Sequence, residues 1–225
     1  MDEKKVVAVI VEGPSDEAAL GPMIKQKFDM DQVRFLVING DITAGSAQDP
    51  DTCIEKIKER LEIIKERYAY QDDDFLRIIH VTDADGVYAL GSVVEKNVSS
   101  IRYYTDHVEA KHAQSVIDRN RRKRRLLNLL SRTESINGIP YQIFYNACNL
   151  EHVLWNRMRV TSSKDKIRLA DEFAEAYENN FREFVRFICS DEVAVPGNYQ
   201  ETWEFIKEGY NSLNRNTNLH LVFQS

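Results

Sequence analysis

Two apolar runs, far apart in the chain, each end on carboxylates. Lys5–Val11 carries the unbroken run VVAVIV and is followed at once by Glu12-Gly13-Pro14. Phe75–Thr82 is the second run, and it leads into Asp83-Ala84-Asp85-Gly86. A short β-branched run closed by a turn signal predicts a strand with both faces covered. Strands of that kind belong to parallel sheets with helices on each side. The loops at their carboxyl ends then share one edge of the sheet, where ligands bind in open α/β folds. So Glu12 and the Asp83–Asp85 pair are expected to converge.

The intervening segments suit this plan. After Glu12-Gly13, Pro14 and Ser15 predict a helix start with Ser15 as N-cap, and Asp16 and Glu17 fall in its first turn. Ala18, Ala19, Met23, Ile24 and Phe28 form its apolar side. Val33–Asn39 reads as a second strand, and Asp41–Asp51 as a polar loop. Ile54, Ile57, Leu61, Ile64 and Tyr68 recur at helical spacing. Val87–His112 has no clear period. Ala113–Ser131 predicts a helix, Asn137-Gly138 a turn, and Tyr141–Asn146 a fourth strand followed by a helix from about Leu150. Beyond Val160 the pattern is helical. Ser162 to Asp165 resembles a capping box, and Ile167, Ala170, Phe173, Tyr177, Phe181, Phe184 and Ile188 read as one long stripe ended by Pro196-Gly197. Trp203–Gly209 predicts another helix, and Leu219–Phe223 an edge strand or a docked tail. The expected fold class is α/β: a mostly parallel central sheet flanked by helices over residues 1–158, with an α-helical C-terminal extension over 159–225.

A chain of 225 residues can bury a core without crosslinks. The cysteines Cys53, Cys148 and Cys189 are odd in number and far apart, which suits a reducing cytoplasm. No apolar run approaches the roughly 18 residues of a membrane span, so no membrane partner is expected. The formal net charge of −6 excludes a general basic coat for nucleic acid. One local exception is Arg119-Asn120-Arg121-Arg122-Lys123-Arg124-Arg125, with six basic residues in seven positions. Its functional reading is phosphate tracking by Arg119, Arg121, Arg122, Lys123, Arg124 and Arg125. Its plainer reading is a solvated helix face. Tyr103 and Tyr104 could stack on bases, although tyrosines of a core or a surface are commoner.

Carboxylates that crowd together raise one another's pKa unless a cation intervenes. Mg²⁺ prefers oxygen ligands and can polarise a phosphoryl oxygen and activate water. The candidate ligands are Glu12, Asp16, Asp83 and Asp85, with Glu12, Asp83 and Asp85 closest to the chemistry.

These residues also carry a family resemblance. Val11-Glu12-Gly13-Pro14-Ser15-Asp16 resembles the first signature of TOPRIM domains, and Ile78–Gly86 resembles their D-x-D strand end. The similarity spans roughly residues 5–155. Asn146-Ala147-Cys148-Asn149-Leu150-Glu151 resembles a third motif of the OLD-type TOPRIM nucleases, which implies Glu151 as a further metal ligand. That family also uses a later lysine, for which Lys164, Lys166 and Lys207 are the candidates. The resemblance implies a nuclease dependent on Mg²⁺ or Mn²⁺, with one or two ions, acting on DNA or RNA, with a place in phage defence or nucleic-acid processing. No P-loop occurs in the chain, so the ATPase fused to OLD nucleases is missing here. A partner-dependent subunit of an ATPase-associated complex is therefore an alternative, and self-association is a further expectation. The second alternative is a haloacid-dehalogenase-like phosphatase with Asp83 as nucleophile, because Asp83-x-Asp85-Gly86-Val87 fits its motif.

Overall fold

The computed structural model describes residues 6–28, 33–37, 50–158 and 162–224. The chain runs β1 (Val6–Val11), α1 (Pro14–Phe28), β2 (Val33–Val37), α2 (Pro50–Tyr68) and β3 (Phe75–Asp83). Three short strands follow: β4 (Val93–Glu95), β5 (Arg102–Tyr103) and β6 (Val108–Ala110). Next come α3 (Ala113–Leu130), β7 (Ser135–Ile136), β8 (Ile139–Asn146), α4 (Leu150–Trp155) and α5 (Ser163–Tyr177). The last elements are α6 (Phe181–Ile188), α7 (Tyr199–Phe205) and α8 (His220–Gln224). Residues 41–49 of the loop expected over Asp41–Asp51, the Met1–Lys5 start, residues 38–39 of the second strand and the boundary at 159–161 lie outside the described residues, while Pro50 and Asp51 open α2 and are not loop.

The main sheet has the order β2-β1-β3-β8-β7. β1, β2, β3 and β8 are parallel, and β7 closes antiparallel on β8. The protein is thus a mixed α/β structure with a mostly parallel sheet flanked by helices. Asn137 and Gly138 both have positive φ (52° and 79°), which gives the twist a two-residue hairpin needs.

Every residue of β1 is buried, and the strand's alternation assigns its side chains to two cores. Val6, Ala8 and Ile10 join Ile57 and Leu61 of α2, Leu126, Leu127 and Leu130 of α3, and Trp203 of α7. Val7, Val9 and Val11 join Leu20, Met23 and Ile24 of α1, Val153 of α4, Phe173 of α5, Phe184 and Ile188 of α6, and Val222 and Phe223 of α8. Covering both faces removes the polar alternation that a half-solvated strand would show.

Several expectations need correction. Pro14, whose missing N–H suits a first helical position, opens α1, so Ser15 lies inside the first turn and is not its cap. The apolar stripe after Val160 is two helices, α5 and α6, parted at Glu178-Asn179-Asn180 and not first at Pro196. The helix expected over Trp203–Gly209 is shifted to Tyr199–Phe205, because Asn198 caps it with a reciprocal Glu201 bond. Of the two forms expected for Leu219–Phe223, the docked tail is found, as α8. The unassigned Val87–His112 region holds the small sheet β4-β6-β5.

Candidate functional site

The carboxyl edge of the main sheet gathers five acids. Glu12 follows β1, Asp83 ends β3, and Asp85 stands in the turn beyond it. Asp16 is in the first turn of α1, and Glu151 in the first turn of α4. Glu12 Oε1 accepts hydrogen bonds from Thr82 Oγ1 (2.7 Å) and from the Asp83 amide (3.0 Å). That contact brings residues 71 apart in sequence side by side.

Asp83 is held by the next strand. Its Oδ1 accepts from Asn146 Nδ2 at 3.1 Å and from the Leu150 amide at 3.0 Å. Asn146 is in turn set by the far end of the chain: Thr217 Oγ1 donates to Asn146 Oδ1 (3.3 Å) and to the Tyr145 carbonyl (2.7 Å). Asn218 Oδ1 accepts from the Tyr145 amide at 2.7 Å. Burial raises the Asp83 carboxyl well above the usual carboxylate range, and Glu12, Asp16, Glu151 and Asp85 push it further up. Asp16 is raised to about 6 by burial and by Glu151, against the pull of Lys166 and the Gly13 amide. The Gly13 N–H donates to Asp16 Oδ2 at 3.1 Å.

Asp85 has the opposite surroundings. Lys123 Nζ lies 2.7 Å from Asp85 Oδ2 and 3.9 Å from Glu12 Oε1. Tyr103 donates its hydroxyl to Asp85 Oδ1 at 3.2 Å, and Arg119 donates to the same hydroxyl at 3.3 Å. Burial works to raise Asp85, but Lys123, Arg119 and the Tyr103 bond bring it below the usual value. The turn is tight: Asp85 and Gly86 have φ of 52° and 66°. A Cβ on Gly86 would come within 2.2 Å of Leu213 Cδ2, so only glycine fits there.

The basic run divides by helix face. Arg119 and Lys123 are four apart, so they share a side with Val116, Leu126 and Leu130 of α3. The Lys123 side chain is 0% exposed. Lys123 therefore cannot track phosphates from an open surface, and the expectation that it does is corrected. Arg119 is half-buried and turned towards Tyr103. Arg121 and Arg125 are exposed, and Arg122 and Arg124 are half-buried. Tyr104 stacks on His107 with ring centroids 4.3 Å apart.

Among the three later lysines, Lys166 reaches the cluster, 2.7 Å from Glu151 Oε1. Lys207 pairs with Glu204 on α7, and Lys164 is exposed. Burial opposes the Lys166 charge, but the bond to Glu151 and the fields of Asp83 and Asp16 raise its pKa overall. Cys148 sits beside the acids, and burial together with Asp85, Asp83 and Glu151 pushes its thiol up, away from a thiolate nucleophile. His152 is lowered to about 4 by burial and by Arg215, so it is neutral at pH 7.

The donor set is all oxygen and crowded enough to displace Asp83 upward, which suits a hard divalent cation. Among the described residues, however, no group of three or more His, Cys, Asp or Glu is arranged to hold a metal ion as it stands. Each acid is held by protein donors. A cavity of about 690 Å³ opens at the opposite, amino-terminal edge of the sheet, near Arg77, Tyr141 and Trp203, and holds none of the five acids. Among the described residues, no helix is long and apolar enough to cross a membrane. No family model matches the chain, and no curated protein or solved structure matches it.

Sequence reasoning named Tyr103 only as a possible stacking residue and missed its bond to Asp85 and the inward role of Lys123. The signal for Lys123 was available: its spacing from Val116, Leu126, Leu127 and Leu130 fits the buried stripe of α3. Tyr103 had no such signal, because β5 is only two residues long.

Proposed function

We propose that the protein is a TOPRIM-type, Mg²⁺-dependent nuclease that cuts phosphodiester bonds of DNA or RNA. The observation that carries this reading is the meeting of Glu12 with the Asp83 amide at the carboxyl edge of a parallel sheet, with Asp16, Asp85 and Glu151 around them. Glu12, Asp16, Asp83 and Glu151 would hold the cation. A bound Mg²⁺ supplies polarisation of a phosphoryl oxygen and an activated water. Thr82 and the Asp83 amide fix one oxygen of Glu12, and Asn146 and the Leu150 amide fix one oxygen of Asp83. Such supports commonly matter nearly as much as the ligands themselves. Lys166 places a positive charge at the same edge, where a substrate phosphate would sit. Arg121, Arg122, Arg124 and Arg125 are the members of the basic run left to meet a nucleic-acid backbone.

A second reading is favoured by the protein donors on every acid: a subunit that stays idle until an ATPase partner or substrate reorders the edge.

The test is a cleavage assay on plasmid, single-stranded DNA and RNA with Mg²⁺ or Mn²⁺, with and without EDTA, beside a phosphomonoester control. Metal-dependent cleavage lost in Glu12→Gln supports the nuclease. Monoester turnover that survives Glu12→Gln and fails in Asp83→Asn would replace it with an aspartyl phosphatase.

A further inference from the structure

The cavity of about 690 Å³ at the amino-terminal edge of the sheet takes no part in the acidic site. It lies between the end of α3, the start of β8 and α7, and its volume is in the range of sites that enclose a small molecule. Five charged side chains line it: Arg77, Arg132, Lys207, Glu134 and Glu204. Lys207 and Glu204 satisfy each other at 2.6 Å. The other three form no ion pair among the described residues. Arg77 is half-buried and donates to Gln142 Oε1 at 3.0 Å, so a neutral amide holds the guanidinium without cancelling its charge. Arg132 and Glu134 stand two apart just beyond α3, both exposed.

Two uncancelled guanidinium groups on one cavity are the planar forks that grip phosphate. A phosphate monoester carries about −1.5 to −2 at pH 7, which two such groups match. The Glu134 carboxylate would repel that phosphate, so it suits hydrogen-bond donors elsewhere on the same ligand. The hydroxyls of a ribose are such donors, and acids meet them in dinucleotide sites. Tyr199 adds a half-buried aromatic wall. Its ring is pinned because its hydroxyl accepts from the Ile143 amide at 3.3 Å and donates to the Ile143 carbonyl at 3.0 Å. Phosphate, ribose hydroxyls and a flat ring in one small molecule describe a nucleotide. A triphosphate would bring more negative charge than three cations set against two acids can match.

We infer that this cavity is a binding site for a ribonucleoside monophosphate, with the phosphate on Arg77 and Arg132, the ribose hydroxyls on Glu134 and the base against Tyr199. It shares no residue with the acidic edge, so it stands whether or not the protein is a nuclease.

The experiment is calorimetric titration of the full chain in EDTA with AMP, GMP, CMP and UMP in turn, beside adenosine and inorganic phosphate. At least one monophosphate should bind one-to-one, and more tightly than either fragment. Arg77→Gln and Arg132→Gln should each weaken it roughly tenfold or more, the loss of a hydrogen bond to a charged group. If Arg77→Gln does not fold, Arg132→Gln, at an exposed position, decides. Glu134→Gln should weaken the nucleotide and spare inorganic phosphate. Trp203 stands in the cavity wall, whereas Trp155 packs against the other core. In a Trp155→Phe variant the indole emission therefore reports the cavity and should shift as the nucleotide binds. Absence of binding by all four monophosphates would overturn the proposal. So would binding that survives in both arginine variants, binding unchanged in Glu134→Gln, or inorganic phosphate held as tightly as the nucleotide. Emission that stays fixed while calorimetry records binding would place the nucleotide elsewhere, and the proposal is then wrong.

Discussion

Asp83 and Asp85 are two residues apart in one turn, yet they sit in opposite electrostatic worlds. Asp83 lies among Glu12, Asp16 and Glu151, and its carboxyl is driven upward. Asp85 lies under α3, where Lys123 and Arg119 draw it down. In the first half the described cation, Lys166, is bonded to Glu151; in the second, Lys123 is bonded to the aspartate itself. A motif such as D-x-D names two equivalent letters, but the elements packed above each letter decide its chemistry. α1, α4 and α5 surround Asp83. α3 and the small sheet surround Asp85.

The largest contrast should be in activity. If the acid-rich half holds the cation, Glu12→Gln and Asp83→Asn each remove several kcal/mol of transition-state stabilisation, roughly a thousandfold or more in cleavage rate. Cleavage measured under single-turnover conditions checks this, and near-normal rates in either variant would break the assignment.

Stability should then split the two aspartates by sign. Asp85→Asn leaves Lys123 buried beside a neutral amide, and should cost about 3–5 kcal/mol in urea unfolding of the EDTA-treated protein. Asp83→Asn removes a repelled charge and keeps an oxygen for Asn146 and Leu150, so stability at pH 7 should hold or rise. Equal losses in both variants would erase the comparison.

The pH dependence sharpens it further. Asp16 rises from 3.8 to about 6 on folding. A raised carboxyl contributes stability that is fully present below the unfolded pKa and is lost as pH climbs through the folded one. His152, lowered to about 4, works in the opposite sense over the same window. The informative quantity is therefore the difference between Asp16→Asn and wild type without metal. It should grow in favour of the variant between pH 4 and pH 6, to on the order of 2–3 kcal/mol, and then level off. A flat difference would mean that Asp16 is well solvated.

The smallest effect concerns the outer faces of α3. Replacing Arg121, Arg122 and Arg124 with Gln should lower the log–log salt slope of nucleic-acid binding by roughly 0.7–0.9 per lost phosphate contact. An unchanged slope would leave these arginines as a solvated face, while the inward pair Arg119 and Lys123 keeps its role.

The sheet was legible because β1 and β3 are buried on both faces, which forces an unbroken apolar run before each acidic turn. The meeting of Glu12 with Asp83 followed from that topology alone. The lysines did not follow in the same way. Lys123 looked like one member of a uniform charge run, since a string of basic residues hides which one the helix turns inward. Lys166 was one of three choices until α5 packed against α1. β4, β5 and β6 are two or three residues each, too short for any period to show. The split between α5 and α6 was masked because phenylalanines on both sides of Asn179-Asn180 continue the same apolar spacing.

Thr217 and Asn218 bind the end of β8 and, through Asn146, hold Asp83 in place. Ribosomes make a chain from its first residue, so Glu12 and both aspartates emerge long before these two. A nascent chain therefore carries all five acids without the bolt that sets Asp83. The hydrogen bonds from Thr217 and Asn218 to the end of β8 can form only after residue 218 has left the exit tunnel, so the acidic edge gains this support late in synthesis.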